Sequence, residues 1–148
     1  MSLERFAAYA AAFEKAFEND DWSVVEPFFT ENAVYETFAV APFGGRHEGR
    51  DAVMAQFKTV LDTFDRRFDV RELQPLEGPE ERDGSVWMRW RVTYKREGMP
   101  DIVLDGEETA FFEGDRIRRL EDRMPEESVK GVTETLGAHG DKLLPVGG

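Results

Sequence analysis

Few residues in this chain are suited to nucleophilic or metal chemistry. Cysteine is absent, and the two histidines, His47 and His139, lie far apart without a second ligand at helical or loop spacing. Thiol nucleophiles, disulfides and thiolate metal sites are therefore excluded, and no metal site is expected. His47 stands between Arg46 and Glu48, where its imidazole can either transfer a proton near neutral pH or simply be solvated. Tyr35 likewise either donates its hydroxyl into a pocket or sits half-buried in a strand.

Three helices are predicted before the main sheet. Apolar residues recur every three or four positions over residues 3–17, which is the spacing of one buried helix face. Asp21 is suited to cap a second, shorter helix, which Pro27 should bend or shorten. Asp51 can cap a third helix, in which the apolar positions keep the same spacing as far as Phe64.

In the second half of the chain the hydrophobic period changes to two, which predicts an antiparallel sheet. Residues 86–94 alternate most clearly, so that one face carries Met88 and Trp90 and the other carries Trp87 and Arg89. Polar turns with glycine separate the neighbouring runs and favour hairpins. The predicted strands span residues 33–36, 68–76, 86–94, 102–112 and 116–124, with a loop rich in apolar residues at 37–48.

A last helix is expected to begin at Pro125, where a proline loses no helical hydrogen bond, and to end at Gly137 or Gly140. The tail at 140–148 is apolar at Leu143 and Leu144, and it either docks on the domain or frays as a flexible segment. A length of 148 residues, 41% of them hydrophobic, fits a single domain over residues 1–148.

The charge balance excludes several classes of partner. The chain carries 31 acidic and 19 basic residues, which gives a net charge of −12. This charge repels phosphate backbones and anionic lipids, so neither nucleic acid nor membrane is expected as a partner. Residues 1–9 lack the basic and apolar segments of a signal peptide, and no apolar run has membrane-spanning length. A cytoplasmic location is therefore expected.

Three segments, taken in order, resemble the SnoaL-like family of the nuclear transport factor 2-like superfamily. Residues 21–36 (DWSVVEPFFTENAVYE) resemble the second helix and first strand of these proteins. Residues 49–53 (GRDAV) resemble the start of their third helix, and residues 112–117 (FEGDRI) resemble their last hairpin. Each segment alone is weakly specific, whereas the ordered set is specific and covers nearly the whole chain.

The resemblance implies an α+β fold: a cone-shaped roll of a curved, mostly antiparallel sheet, wrapped by three N-terminal helices and followed by a C-terminal helix. An apolar pocket would lie between the concave face of the sheet and the helices, without a cofactor or metal. Members of the family include polyketide cyclases, ketosteroid isomerases, epoxide hydrolases and dehydratases, while others only bind ligands or partners. The fold by itself therefore leaves the function open.

By analogy with the isomerase-like members, Glu108 takes the position of a protonated carboxylic acid, and Asp122 lies where cyclase-like relatives often carry a polar or acidic group. Two carboxyl groups in an apolar pocket can divide the acid and base roles, or both can be ordinary solvated residues of a strand. Phe13 and Thr37 take the positions of the isomerases' tyrosine donor and aspartate base, which argues against steroid-type isomerisation. The residues expected to bind substrate are Phe13, Phe17, Thr37, Phe38, Phe57, Met88, Trp90, Val92, Ala110, Leu120 and Met124.

The length of the last hairpin turn decides whether the two carboxyl groups share a face. A turn of three residues would place Glu108 and Asp122 on the same face, whereas a turn of two or four residues would place them on opposite faces. The first functional hypothesis is a cofactor-free acid/base enzyme of the cyclase, isomerase, hydratase or dehydratase type that acts on a small apolar or polyketide-like molecule. In it, Glu108 and Asp122 form the acid/base pair, and Tyr35 or His47 orients the substrate. The second is a non-catalytic module that binds small hydrophobic ligands or acts in a stress response.

A homodimer is predicted through the convex face of the sheet. Trp87 alternates there with Arg89, Arg91 and Thr93 and points away from the pocket. Tryptophan and arginine are typical interface anchors, so Trp87→Ala should weaken association by about 2 kcal/mol. Sedimentation at micromolar concentration should show a dimer, and a clean monomer would contradict the prediction.

Overall fold

The computed structural model describes residues 2–146, which form three α-helices, four short 3₁₀ turns and six strands. The helices are α1 (Ser2–Asn19), α2 (Arg50–Thr63) and α3 (Glu126–His139). The strands are β1 (Phe29–Phe38), β2 (Gly45–Glu48), β3 (Val70–Arg82), β4 (Ser85–Lys95), β5 (Ile102–Glu113) and β6 (Arg116–Arg123). The 3₁₀ turns span Trp22–Val24, Glu26–Phe28, Asp65–Arg67 and Gly140–Lys142.

The six strands form one curved sheet in the order β2, β1, β6, β5, β4, β3. β1 and β6 run parallel, and the other neighbouring pairs run antiparallel. α1 and α2 pack on the concave face of this sheet, which confirms the α+β fold expected from the sequence. None of the helices within residues 2–146 is long and apolar enough to cross a membrane.

Two helix predictions were wrong: the second, shorter helix after Asp21, and the N-cap of the third helix at Asp51. Two 3₁₀ turns replace the second helix, because Pro27 lacks the amide that an α-helix needs and disfavours helical backbone at the residue before it. Asp21 does cap the first of these turns, since its carboxylate accepts from the Ser23 amide at 3.1 Å. α2 begins one residue after Gly49, whose φ of +95° suits glycine, and Asp51 lies in the first turn without capping it.

The loop predicted at 37–48 also contains a strand. β1 extends to Phe38, and β2 pairs with it so that His47 lies opposite Tyr35. No alternating pattern marks β2 in the sequence, because it is an edge strand of four residues and most of its side chains are exposed. Residues 39–44 form the remaining turn.

The faces predicted for β4 are confirmed. Its alternate residues, including Met88 and Trp90, are buried on the concave face. On the convex face Trp87 is half-buried: its indole donates to Glu107 at 2.7 Å, and the Arg82 guanidinium lies 4.2 Å from its ring centroid. The dimer expected through this face stays a prediction.

A β-bulge sets the register of the last hairpin. The turn between β5 and β6 has two residues, Gly114 and Asp115, and such a turn alone would place the two carboxyl groups on opposite faces. The pairing shifts by one residue beside Phe111, which leaves Arg118 as an extra residue in β6. From there onwards the strands are in the register that a three-residue turn would have produced.

α3 and the segment after it cover the part of β5 that β6 does not reach. The Asp105 amide, which has no partner strand on that side, donates to Ser128 Oγ at 2.8 Å. Farther on, the Leu144 amide donates to the Arg67 carbonyl at 3.0 Å, and Arg67 Nε donates back to the Leu144 carbonyl at 2.8 Å. These bonds hold the chain through residue 144, and residues 147 and 148 of the predicted tail lie outside the described residues.

Gly106 makes room for the largest side chain of the concave face. Trp90 is paired with Gly106 across β4 and β5, and its indole lies flat over the glycine. A Cβ at position 106 would lie 2.8 Å from Trp90 Cε2 and closer still to Cζ2. Because the indole is a rigid ring, it cannot move aside as the end of a flexible side chain would.

Gly106→Ala should therefore destabilise the protein by about 1–3 kcal/mol, because the added methyl group displaces Trp90. The free energy of unfolding is measured by urea denaturation. Gly131→Ala is the matched control, since nothing lies within 4 Å of its Cβ position in α3 and helix propensity should make it more stable by about 0.5–1 kcal/mol. Equal effects of the two substitutions would contradict this packing.

Candidate active site

The concave face of the sheet, α1 and α2 enclose a cavity of about 170 Å³. Its walls are mainly aromatic and aliphatic, and five charged residues are set into them. The charged residues are Glu14, Asp65, Arg71, Glu108 and Asp122. They fall into two groups on separate parts of the wall.

The first group is a pair of carboxyl groups. Glu108 on β5 and Asp122 on β6 are directly opposite in the ladder, and only 7% of Asp122 is exposed. Burial, and then the neighbouring charge of Asp122, raises the pKa of Glu108 well above its usual range. Burial also raises the pKa of Asp122. Two adjacent carboxyl groups in a mainly apolar wall cannot both be ionised easily, so the pair retains a proton.

Tyr35 decides which member of the pair is ionised. Its hydroxyl donates to Asp122 Oδ2 at 2.6 Å, and a hydrogen bond of this kind favours the charged carboxylate. Burial and the charge of Asp122 raise the pKa of Tyr35 well above 10.0, so that the phenol remains a donor. Asp122 Oδ1 is buried without a hydrogen-bond partner among the described residues. We therefore assign the proton to Glu108 and the charge to Asp122.

Tyr9 is a cavity residue that the sequence interpretation missed. It lies on α1, it is buried, and it lines the cavity. Burial, and then the charges of Glu108 and Asp122, raises its pKa well above 10.0. Its spacing of four residues from Phe13 on the buried helix face was a signal that would have identified it. α1 therefore does supply a phenol to the cavity, one turn before Phe13.

The second polar group was also missed. Asp65, buried after α2, accepts from Arg71 Nε at 2.8 Å and from the Tyr94 hydroxyl at 3.1 Å. Arg71 Nη1 donates to Glu14 Oε1 on α1 at 2.7 Å. Asp65 is the first residue of the third 3₁₀ turn, and Arg71 is the second residue of the edge strand β3. No hydrophobic period at these positions indicates which way a side chain points. Only the packing of α1 against β3 brings them to the cavity.

The structure places nine of the proposed site residues on the cavity wall. They are Phe13, Tyr35, Phe57, Met88, Trp90, Val92, Glu108, Asp122 and Met124. The edge-to-face contact between Phe13 and Phe57, with ring centroids 5.3 Å apart, joins α1 to α2 above the sheet. The Tyr35 ring contacts Phe57 at 5.1 Å. These rings form part of the apolar wall near the carboxyl pair.

Six of the proposed site residues lie outside the cavity lining. They are Phe17, Thr37, Phe38, His47, Ala110 and Leu120. Ala110 and Leu120 are fully buried in the core behind the wall. The Phe17 ring lies 4.7 Å from the Arg71 guanidinium, and Phe38 packs 4.1 Å from that of Arg123. Each of these aromatic rings is therefore covered by an arginine.

His47 and Thr37 lie beside the site instead of within its lining. The His47 ring is 6.5 Å from that of Tyr35, and Thr37 is paired in the ladder with Asp122. Neither side chain lines the cavity, although both lie on the same face of the sheet as Tyr35. Within the described residues no group of three or more histidine, cysteine, aspartate or glutamate side chains could hold a metal ion.

The sequence pattern of the SnoaL-like domain matches residues 9–124. Among solved structures, a protein from Rhodopseudomonas palustris described as a proposed isomerase has a TM-score of 0.69 at 14% identity, with 90% of this chain and 99% of that chain covered. Bal32a, from a soil-derived mobile gene cassette, has a TM-score of 0.66 at 21% identity over 91% and 98% of the two chains.

A third structure, a proposed polyketide cyclase from Xanthomonas campestris pv. campestris, has a TM-score of 0.59 at 18% identity and covers 92% of this chain and 99% of that one. At these identities the likeness concerns the fold. No curated protein matches the chain in sequence.

Glu108→Gln should stabilise the protein at neutral pH. A pKa that is higher in the folded than in the unfolded state gives stability that is present at low pH and lost as the pH rises through the folded value. The glutamine cannot titrate, so the variant escapes this loss, which amounts to about 1.4 kcal/mol per unit of difference between the two pKa values.

The free energy of unfolding is measured from about pH 4 to about pH 9, because a raised carboxyl pKa titrates within this range. Glu113→Gln, at the exposed end of the same strand, is the matched control. Parallel pH profiles for wild type and Glu108→Gln would show that the glutamate does not carry a buried proton.

Proposed function

The chain belongs to the SnoaL-like domain family, and we propose that it is an acid/base enzyme that acts without a cofactor on a small, largely apolar molecule. The reaction class is that of the cyclases, isomerases, hydratases and dehydratases, in which protons move between neighbouring atoms of one substrate. The observation that carries this proposal is the carboxyl pair on the cavity wall, with Tyr35 bonded to Asp122 and Asp122 Oδ1 free of partners among the described residues.

The assigned protonation states give each carboxyl group one role. Asp122 Oδ1 accepts a proton from a carbon next to a carbonyl group, and the electron pair of that bond moves toward the carbonyl oxygen. Glu108 gives its proton to that oxygen, so that the intermediate is a neutral enol and the total charge is unchanged. Return of the protons to other atoms completes an isomerisation. In a dehydration, the enol returns its proton to Glu108, the carbonyl re-forms as the bond to a neighbouring hydroxyl group breaks, and Asp122 gives its proton to that hydroxyl group, which leaves as water.

The two tyrosines hold the substrate and Asp122 in place for these transfers. The Tyr35 hydroxyl fixes the carboxylate through Oδ2 and leaves Oδ1 without a partner among the described residues, as a group that accepts a proton requires. The Tyr9 side chain also lines the cavity, and its hydroxyl can donate to the developing oxygen charge. In a mainly apolar cavity, such donors act more strongly than they would in solution.

The cavity limits the size of the substrate. Its volume of about 170 Å³ is close to that of an engineered cavity of about 150 Å³ that binds benzene. Aromatic walls favour a ring or a compact apolar group as ligand. Their contacts stabilise the bound ligand and do not require it to carry a charge. A small ring compound with one carbonyl or hydroxyl group therefore fits best.

A non-catalytic binding module remains the second candidate. The observation in its favour is the predominantly apolar wall, which would hold a hydrophobic ligand with no contribution from the carboxyl pair. In this case substitution of Glu108 or Asp122 would leave ligand binding intact, and no turnover would exist to be lost. A homodimer and a cytoplasmic location are proposals that accompany either function.

Wild-type protein should accelerate deuterium incorporation next to the carbonyl group of small cyclic ketones in D₂O, as followed by ¹H NMR. Asp122→Asn and Glu108→Gln should each lower the exchange rate by about 10²–10⁴-fold, because each removes one proton-transfer group. Tyr35→Phe keeps the ring and loses one hydrogen bond, so it should lower the rate by about tenfold.

Glu113→Gln is again the matched control and should exchange at the wild-type rate. Binding of the same ketones is measured in parallel by the quenching of tryptophan fluorescence, since Trp90 lines the cavity. Ketones that bind but exchange only at the buffer rate would favour the binding module over the enzyme.

A further inference from the structure

The second polar group of the cavity wall is not used by the proposed acid/base chemistry. Among the described residues of the lining, Arg71 is the single cation. Its side chain is only 8% exposed, and that of Asp65, to which it is bonded, is 7% exposed. Burying such a pair costs more solvation energy than an apolar pair of the same volume would, so its presence in a ligand cavity calls for a role beyond packing.

We propose that Arg71 is a receptor for a carboxylate group of the ligand and that Glu14 occupies this receptor until the ligand replaces it. This inference deepens the proposed function, on which it rests, by naming the substrate class: a small apolar acid. It assigns Arg71 to binding and specificity and gives it no part in proton transfer.

The contacts of Arg71 hold its guanidinium in one orientation. Asp65 accepts from Nε at 2.8 Å and is itself fixed by the Tyr94 hydroxyl. The guanidinium lies 4.7 Å from the centroid of the Phe17 ring. A guanidinium fixed at one edge and packed against an aromatic ring is prepared to bind a carboxylate at its other edge, where two parallel hydrogen bonds are available.

Glu14 occupies that remaining edge, but it is not held there by burial. Its carboxylate accepts from Arg71 Nη1 at 2.7 Å, and its side chain is 41% exposed. The side chain can therefore turn into water without leaving a charge in the wall. A ligand carboxylate that takes its place restores the same hydrogen bond and the same balance of charges, so the exchange avoids the cost of an unpaired buried arginine.

The position of Arg71 also fits a ligand that extends toward the carboxyl pair. Arg71 pairs with Tyr94 in the ladder, whereas Glu108 pairs with Met88 six positions away on β4. Between them, Val92 and Trp90 present apolar side chains to the cavity. An acid bound at Arg71 would lay its apolar body along this stretch, with its charge well separated from Asp122.

The test measures binding affinity by isothermal titration calorimetry. The ligands are benzoate, phenylacetate, 3-phenylpropanoate and the three corresponding amides. Each amide keeps the shape of its acid and lacks the charge. Wild-type protein should prefer at least one acid to its amide. Glu14→Gln removes the competing carboxylate, so it should tighten binding of that acid by about three- to tenfold and leave the amide unchanged.

The double variant Asp65→Asn/Arg71→Met removes both buried charges together, which avoids an unpaired aspartate in the wall. It should lower the affinity for the acid by about tenfold or more and again leave the amide unchanged. Equal binding of acids and amides by wild-type protein, or an unchanged acid affinity in Glu14→Gln, would overturn the proposal. If the double variant fails to fold, the Glu14→Gln comparison decides alone.

Failure of the proposed enzyme function would look different. Glu108→Gln and Asp122→Asn should retain the preference for the acid, because neither residue contacts Arg71. An acid preference without turnover in any variant would leave Arg71 as the receptor of a binding module. Turnover without an acid preference would instead retain the enzyme and remove the receptor.

Discussion

The properties of the cavity depend on two carboxyl groups that lie opposite each other in its mainly apolar wall. Glu108 and Asp122 are paired across β5 and β6, and their burial makes the doubly ionised state costly. One proton is therefore part of the folded structure. Tyr35 places the charge on Asp122, and Asp122 Oδ1 has no hydrogen-bond partner among the described residues. Because Asp122 Oδ1 has no partner within residues 2–146, it can bind a polar group of a ligand.

Aromatic rings create the conditions under which the pair keeps its proton. Contacts of 5.1–5.3 Å join Phe57 to Phe13 and to Tyr35, so that one ring of α2 bridges α1 and the sheet. Gly106 lets the Trp90 indole lie against β5, which completes the opposite wall. These apolar contacts offset the solvation lost by the carboxyl groups, and they leave a cavity at the centre of the domain, where close packing would have given more stability.

The two polar groups of the cavity have opposite character. The carboxyl pair retains a proton and lacks a partner on one oxygen, whereas Asp65 and Arg71 form an ion pair that the Tyr94 hydroxyl fixes. Buried ion pairs of the second kind contribute orientation more than stability. A ligand that lies between the two groups meets a proton donor and acceptor at one end and a fixed cation at the other.

Hydrophobic period and turn composition were enough to predict much of the fold. The spacing over residues 3–17 and the alternation over residues 86–94 predicted α1 and both faces of β4, because burial on one side leaves its period directly in the sequence. The polar turns predicted the neighbouring hairpins, and the family resemblance predicted the curvature of the sheet. The pattern did not identify β2, which is short and exposed, or the replacement of the second helix by 3₁₀ turns around Pro27.

Glu108, Asp122 and Tyr35 were recognisable as candidates, but their grouping was not. A two-residue turn alone would have separated the two acids, and the extra residue Arg118 in the bulge reverses that outcome. Tyr9 and Arg71 reach the cavity only because α1 crosses the sheet at β3 and β4. The sequence by itself thus determined which segments form helices and strands with one buried face. Tertiary structure decided which of them meet, because register shifts and helix crossings depend on contacts between distant segments and leave no local period.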